Sequence, residues 1–284
     1  MRNEKQVLDT VLDFARSDAR VRAVWMNGSR VNPNVSQDIF CDYDIVFAVT
    51  DPRDFLVDQS WIARFGELII MQQNDWSEGD ATGYIFLMLF SDGIRIDLSF
   101  DPVDYLDALL DDSLTVVLLD KDKRIGPLPP PADTGYHTQK PSREEFDDVT
   151  NEFWWCATNV AKGIWRDEFC YAKYMYQVIV KGCVIKLLTW YIGLQHDWAV
   201  NSGLYGKWFK AYLPPALWAA FERTYAGVDY DALWEALFEA GALVREVGLA
   251  LADALGYDYP IEDDERVSAY LRKVRELPKD AETF

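Results

Sequence analysis

Histidine is almost missing from this chain: His137 and His196 are the only two among 284 residues. That excludes a zinc site built on imidazoles, and any metal here should be held by oxygen. Cysteine is nearly as scarce. Cys41, Cys156, Cys170 and Cys183 show no CxxC spacing and fall short of the density of a disulfide scaffold, so they read as reduced core or strand-edge residues and imply a cytoplasmic protein. Positive charge is also short, with 28 Lys and Arg against 47 Asp and Glu and a formal net charge of -19. A surface that grips a nucleic-acid backbone needs clustered cations to displace counterions, so no nucleic-acid partner is expected and cationic ligands fit better. Acidity that serves only solubility is the competing reading. The N-terminal MRNEKQVLDTVLDFA is charged and amphipathic, without a secretory apolar core. No apolar run reads as a membrane span, so neither leader nor membrane partner is expected.

What is present is enough apolar material for a large core, since half of the residues are hydrophobic. Val7, Leu8, Val11, Leu12 and Ala15 recur at helical spacing and open the chain with an amphipathic helix. RVRAVWM, DYDIVFAV, ELIIMQQ, GYIFLMLF, GIRIDLSF and LTVVLL then carry strand character, with Ser91-Asp92-Gly93 a hairpin turn. KDKRIGPLPPPADTGYHTQKP is Pro-rich and aperiodic, as an extended connection between domains is. From Ser142 the periodicity becomes helical, opening on a Ser-x-x-Glu capping box and continuing through YAKYMYQVIVKGCVIKLLTWYIG and YDALWEALFEAGALVREVGLALADAL. The expected class is α+β: a mixed sheet with flanking helices over residues 1–134, then an all-helical domain over 135–284.

Chemistry concentrates in the first half. Side chains alternate across a strand, so Asp42 and Asp44 project to one side, and two carboxylates that close repel unless a cation lies between them. Mg²⁺ suits such a pair, because it takes one or two carboxylates and completes its shell with water and substrate phosphates. In GIRIDLSF, Arg95, Asp97 and Ser99 share one face and apolar residues the other, which makes Asp97 the candidate third ligand. Gly28-Ser29 follows a strand, where backbone N–H groups and a hydroxyl can cradle phosphate oxygens, and Arg30 adds a charge for the same group. Alone, an Asp-x-Asp pair is often a solvated strand start and a Gly-Ser pair a plain turn; the ordered combination is what points to a site.

These residues resemble the nucleotidyltransferase superfamily, whose pattern is a Gly-Ser turn, an Asp-x-Asp strand and a third Asp on a neighbouring strand. GSRVNPN, DIFCDYDIVFAVTD and GIRIDLSF, followed by NEFWW, AKGIWRDE, LLTWYIG, YLPPALW and REVGLALADALGYDYP, are similar over nearly the whole chain to the aminoglycoside 6-adenylyltransferases that modify streptomycin. The resemblance implies a Mg²⁺-dependent enzyme that transfers AMP from ATP to a hydroxyl of streptomycin, with the drug seated between the halves. It also implies that Gly28 and Ser29 contact the triphosphate, that Asp42, Asp44 and Asp97 hold metal, and that Asp97 serves also or instead as general base. Cys41 stands where relatives commonly have serine, a small side chain in either case. NSGLYGKWFK matches the family only in part, which weakens Lys207 as a triphosphate contact.

Among the remaining acids, Asp147, Asp148, Glu152, Asp167 and Glu168 offer charge-assisted hydrogen bonds to a guanidinium-bearing drug, with a solvated helix face as the plain alternative. Asp167 and Glu168, near Lys173, are the members placed in the substrate cleft. Trp154, Trp155, Trp165 and Trp190 could stack on a sugar, but aromatics at helical spacing read first as core. Two further functions stay open: the same transfer to another hydroxylated antibiotic such as a lincosamide, or to a protein, and a non-catalytic, antitoxin-like nucleotide-binding module.

Overall fold

The computed structural model describes residues 1–106 and 110–284. The chain divides into two compact units, Met1–Gly135 and Tyr136–Phe284. The first begins with α1 (Glu4–Ser17), whose start is fixed by a reciprocal capping box between Asn3 and Gln6. Val7, Val11, Phe14 and Ala15 are its buried stripe, the i, i+4, i+7 spacing that puts one helical face against a sheet.

The six strands are β1 (Val21–Asn27), β2 (Tyr43–Val49), β3 (Leu68–Glu78), β4 (Ala81–Phe90), β5 (Arg95–Pro102) and β6 (Val116–Asp120), in the order β3-β4-β5-β2-β1-β6. Only β2 and β5 run parallel among the described pairings. β4 and β5 are joined through Ser91-Asp92-Gly93, where Gly93 takes a φ of 82° and donates to the Phe90 carbonyl at 2.8 Å. Arg2 ties the N-terminus to this turn through Asp92, whose carboxyl it holds down at about 2.

One face of the sheet is covered by α1, by α2 (Arg53–Val57) and by a short turn carrying Trp61. Phe55 stacks on Phe100 at 4.2 Å, and Trp61 meets Phe100 and Phe86 edge-on at 4.8 and 5.0 Å. Each such pair adds roughly 0.5–1.5 kcal/mol beyond the area it buries, so β2 and β5 are pinned from behind. Their other face carries the acids.

The second unit is helical: α3 (Arg143–Trp165), α4 (Phe169–Gln195), α5 (Phe209–Tyr212), α6 (Pro215–Arg223), α7 (Tyr230–Leu255) and α8 (Ile261–Glu276). The Ser142–Glu145 capping box opens α3, and Gly256 closes α7 in the left-handed conformation at φ 70°. Within α4, Met175–Val180 winds as a π-helix.

Two expectations change here. α4 is long and apolar enough to cross a membrane by length and composition, with a mean hydropathy of 1.4, although no apolar run had read as a span. Val180, Val184, Leu187 and Leu188 nevertheless pack into the core of this unit, which accounts for the apolarity. The tryptophans also separate: Trp154 and Trp190 are buried and Trp165 is partly so, whereas Trp155 is 67 % exposed. Neighbours on a helix point about 100° apart, so a face that takes Phe153 and Trp154 inward turns Trp155 out.

Candidate active site

Strand β1 delivers the chain to Gly28, which adopts φ 79° and ψ -154° before a single 3-10 turn over Ser29–Val31. A Cβ at Gly28 would lie 2.2 Å from Oδ2 of Asp44. The turn is therefore pressed against a carboxylate, and only glycine satisfies both the backbone angle and that approach. Ser29 stays close to the segment before β2, its Oγ 3.3 Å from the Cys41 Sγ.

The parallel register sets Asp44 directly beside Asp97, with Tyr43 opposite Ile96 and Ile45 opposite Leu98. Asp42 leads into β2 on the same side as Asp44. The cost of this crowding falls on Asp44, whose carboxyl is pushed up to about 6, first by burial and then by the charges of Asp97 and Asp42. Asp112 adds to the same repulsion. It is a fourth acid that the strand pattern did not reveal, because it reaches the site from a loop.

Arg95 is the other participant that the sequence left without a task. Its guanidinium holds Asp97 through two hydrogen bonds of 2.8 and 2.7 Å, and its Nη1 lies 3.4 Å from Asp42 Oδ2. The pairing raises the Arg95 pKa, chiefly through the hydrogen bond to Asp97. One cation thus bridges two of the three carboxylates, and Asp44 is the one without a salt bridge of its own among the described contacts.

Arg30 is engaged within the protein. Its guanidinium donates to the carbonyls of Cys41 and Asp42, the latter at 3.1 Å, and lies over the Tyr43 ring at 3.7 Å. The side chain is only 10 % exposed. This geometry fastens the approach to β2 and so sets where Asp42 projects.

The other expected site residues belong to the second unit. Asp167 and Glu168 are exposed in the turn between α3 and α4, where Asp167 has a left-handed φ of 59°. Lys173 does not pair with them; it donates to the Gly227 carbonyl at 2.8 Å. Lys207 is exposed and follows Gly203, Tyr205 and Gly206, all at positive φ. A tyrosine held in that conformation and 83 % exposed is the kind of backbone cost found at functional loops.

Asp42, Asp44 and Asp97 supply only hard oxygen donors, and Asp44 is raised first by burial and then by the charges of Asp97 and Asp42, which a cation would offset. Both properties fit Mg²⁺. The acids are not gathered as a finished cage, since no cluster of three potential ligands is drawn together among the described residues. Arg95 explains this, because its hold on Asp97 keeps that carboxylate engaged. Arg95 is 44 % exposed, so solvent reaches the guanidinium from one side.

The family model for streptomycin adenylyltransferase matches residues 1–274. An aminoglycoside 6-adenylyltransferase of Campylobacter jejuni is 40 % identical over 275 residues, covering 95 % of either chain. One from Bacillus subtilis (strain 168) is 36 % identical over 280 residues, covering 95 % of this chain and 97 % of that one. One from Staphylococcus aureus is 35 % identical over 219 residues, or 75 % and 78 % of the two chains. With a Gly-Ser turn closed on a strand of paired aspartates, and with likeness running from the sheet through the helical unit, the chain belongs to the aminoglycoside 6-adenylyltransferase family of the nucleotidyltransferase superfamily.

Proposed function

We propose that this protein is an aminoglycoside adenylyltransferase that moves AMP from ATP to the 6-hydroxyl of streptomycin and so confers resistance to the drug. The observation that carries the reading is the parallel pairing of Asp44 with Asp97 beneath the Gly28 turn, with Asp42 on the same side. The acceptor is inferred from the streptomycin adenylyltransferase family model, and its position from the names of the 6-adenylyltransferase relatives.

Asp42, Asp44 and Asp97 would hold Mg²⁺, which when bound neutralises triphosphate charge and steadies the pyrophosphate leaving group. The chain's own residues do the rest. Gly28 brings backbone within reach of the triphosphate without a side chain in the way, and Ser29 offers a hydroxyl. Arg30 keeps Asp42 in register. The acceptor oxygen attacks the α-phosphorus, the bond to pyrophosphate breaks, and the proton of the hydroxyl passes to Asp97. Arg95 must release Asp97 for either role, as ligand or as base, and is then a free cation beside the phosphates. Most of the rate comes from positioning and charge stabilisation.

Streptomycin carries two guanidinium groups that carboxylates grip in bidentate fashion, which is what Asp167 and Glu168 offer the drug, and Lys207 offers a charge to phosphate. A cytoplasmic setting supplies the ATP. The test is incubation with Mg²⁺, ATP and a panel of aminoglycosides, with products weighed by mass spectrometry and the modified position assigned by NMR. Streptomycin should gain one adenylyl group at the 6-oxygen. AMP on another hydroxyl, or on spectinomycin or lincomycin and never on streptomycin, would remove the assignment of acceptor and leave nucleotidyl transfer standing.

A further inference from the structure

A cavity of about 600 Å³ opens between α7 and α8 of the second unit, with Trp154 of α3 among its walls. Arg245, Arg272 and Arg275 line it against a single carboxylate, Glu276. Asp264 pairs with Arg245 and Glu235 with Arg275, so the guanidiniums are matched by carboxylates and Arg272 is the cation without an ion pair among the described residues, in a chain whose net charge is -19.

The cavity is braced from beneath. Asp264 is fully buried and binds Arg245 through both carboxylate oxygens, the Nε contact being 2.7 Å. Asp264 also accepts from the Tyr259 hydroxyl at 2.9 Å and from Ser268 at 3.1 Å, and Tyr259 in turn accepts from Trp154 Nε1 at 3.2 Å. Arg245 is thereby locked through Nε and Nη2, with Nη1 uncommitted among the described hydrogen bonds. Arg275 is steadied by Glu235 at 2.6 Å, and its guanidinium carbon lies 5.6 Å from the Phe238 ring centroid. Arg272 is exposed and has no ion-pair partner among the described residues. Gly241 brings α7 close to the Trp154 ring, which would stand 3.3 Å from a Cβ at that position.

We propose that this cavity is a binding site for a small organic phosphate monoester bearing a planar ring, its phosphate on the three arginines and its ring against Phe238, over a floor that includes the edge of the buried Trp154. Guanidinium forks match phosphate oxygens in pairs, and Arg245 Nη1 and the Arg272 guanidinium are the donors left over from the ion pairs. The volume lies within the range of small-molecule sites, roughly 300–1,000 Å³. Apolar and aromatic surface beside the arginines selects an organic ester over the free ion. Because Asp264 already pays the cost of orienting Arg245, a ligand meets a group that needs little rearrangement. The site shares no residue with Asp42, Asp44 and Asp97, so it stands or falls apart from the nucleotidyl-transfer reading.

The experiment is calorimetric titration of the full chain with phenyl phosphate, without ATP or metal, with the Trp154 indole N–H signal followed by NMR. The wild type should saturate below about 10 mM, the double variant Arg272→Gln/Arg275→Gln should bind at least roughly tenfold more weakly, and Glu276→Gln should bind more tightly. Asp44→Asn should bind as the wild type does, and the indole signal should move. Arg272 and Arg275 are surface groups, so melting temperature should hardly change in the double variant. The proposal is overturned by absence of saturation, by unchanged affinity in the double variant, by loss of binding in Asp44→Asn, or by equal affinity for inorganic phosphate or benzoate.

Discussion

Each unit takes a carboxylate out of water, and the two are treated in opposite ways. In the helical unit Asp264 is fully buried but receives both arms of Arg245, the Tyr259 hydroxyl and Ser268. In the sheet unit Asp44 is partly buried, has no salt bridge of its own among the described contacts, and faces Asp97 and Asp42. A buried charge that is paired and hydrogen-bonded is a piece of scaffold; a buried charge set among like charges is kept for something that arrives. The difference is also one of backbone. Asp264 sits on a helix, where its partners come from the neighbouring helix (Arg245), from its own next turn (Ser268) and from the segment just before it (Tyr259). Asp44 is placed by strand register, which brings Asp97 alongside regardless of repulsion.

The sharpest way to break the contrast is Asp44→Asn. Turnover with ATP and aminoglycoside should fall by roughly a hundred- to a thousand-fold, the loss typical of removing a group that stabilises transition-state charge. The fold should gain. A carboxyl raised from 3.8 to about 6 favours the protonated form in the folded state. Its contribution to stability is fully present below about pH 3.8 and is lost as pH rises through about 6. At pH 8 the amide should therefore be more stable than wild type, by on the order of 1–3 kcal/mol, and the advantage should vanish near pH 4. Melting curves at the two pH values check this, and wild-type turnover by the variant would remove Asp44 from the site.

Asp264→Ala is the mirror image. Deleting one partner of a compensated buried pair leaves Arg245, Tyr259 and Ser268 without their acceptor, a loss of about 3 kcal/mol. Arg245 is 37 % exposed and recovers some hydration, which holds the figure at the low end of the buried-pair range. Melting temperature should drop markedly, while turnover measured well below the melting point should change little. A variant as stable as wild type would show that the network is not the brace it looks like.

Much of this contrast is readable from sequence on one side and hardly at all on the other. Asp44 and Asp97 lie on strands and Asp42 leads into one, so a period of two fixes the face each side chain takes, and Gly28-Ser29 lies at a strand end, where turns belong. The helical runs beginning at Arg143 and Tyr230 are equally plain, because capping residues and apolar spacing agree. What stays hidden depends on pairing between distant segments. Arg95 was visible on the face of Asp97, but its hold on Asp42 requires β2 and β5 to be parallel neighbours. Arg30 beside a Gly-Ser turn suggests a phosphate contact, while its hold on the carbonyls of Cys41 and Asp42 and on the Tyr43 ring depends on the course of residues 41–43. The braced cavity escapes for a related reason: α8 is largely polar, so its sequence does not announce Asp264 and Ser268 as buried.

Asp101 puts the comparison under the finest strain, because it lies in the same unit as Asp44, is 4 % exposed and is also pushed up to about 6. The cause differs. Burial alone raises it, opposed by a 2.8 Å hydrogen bond from Trp76 Nε1, and no carboxylate is named among its perturbers. If like charges and not burial mark the site, Asp101→Asn should keep the Trp76 bond through its amide oxygen and lose only the desolvated charge. The same sign applies as for Asp44: stability from the protonated carboxyl is present below about pH 3.8 and lost through about 6, so the variant should gain on the order of 1–2 kcal/mol at pH 8 and nothing near pH 4. Turnover should stay within about twofold of wild type, since a change that relieves burial without touching transition-state charge leaves the barrier alone. A loss of activity approaching that of Asp44→Asn would mean that burial itself marks the functional acids of this sheet, and that Asp101 has to be counted with them.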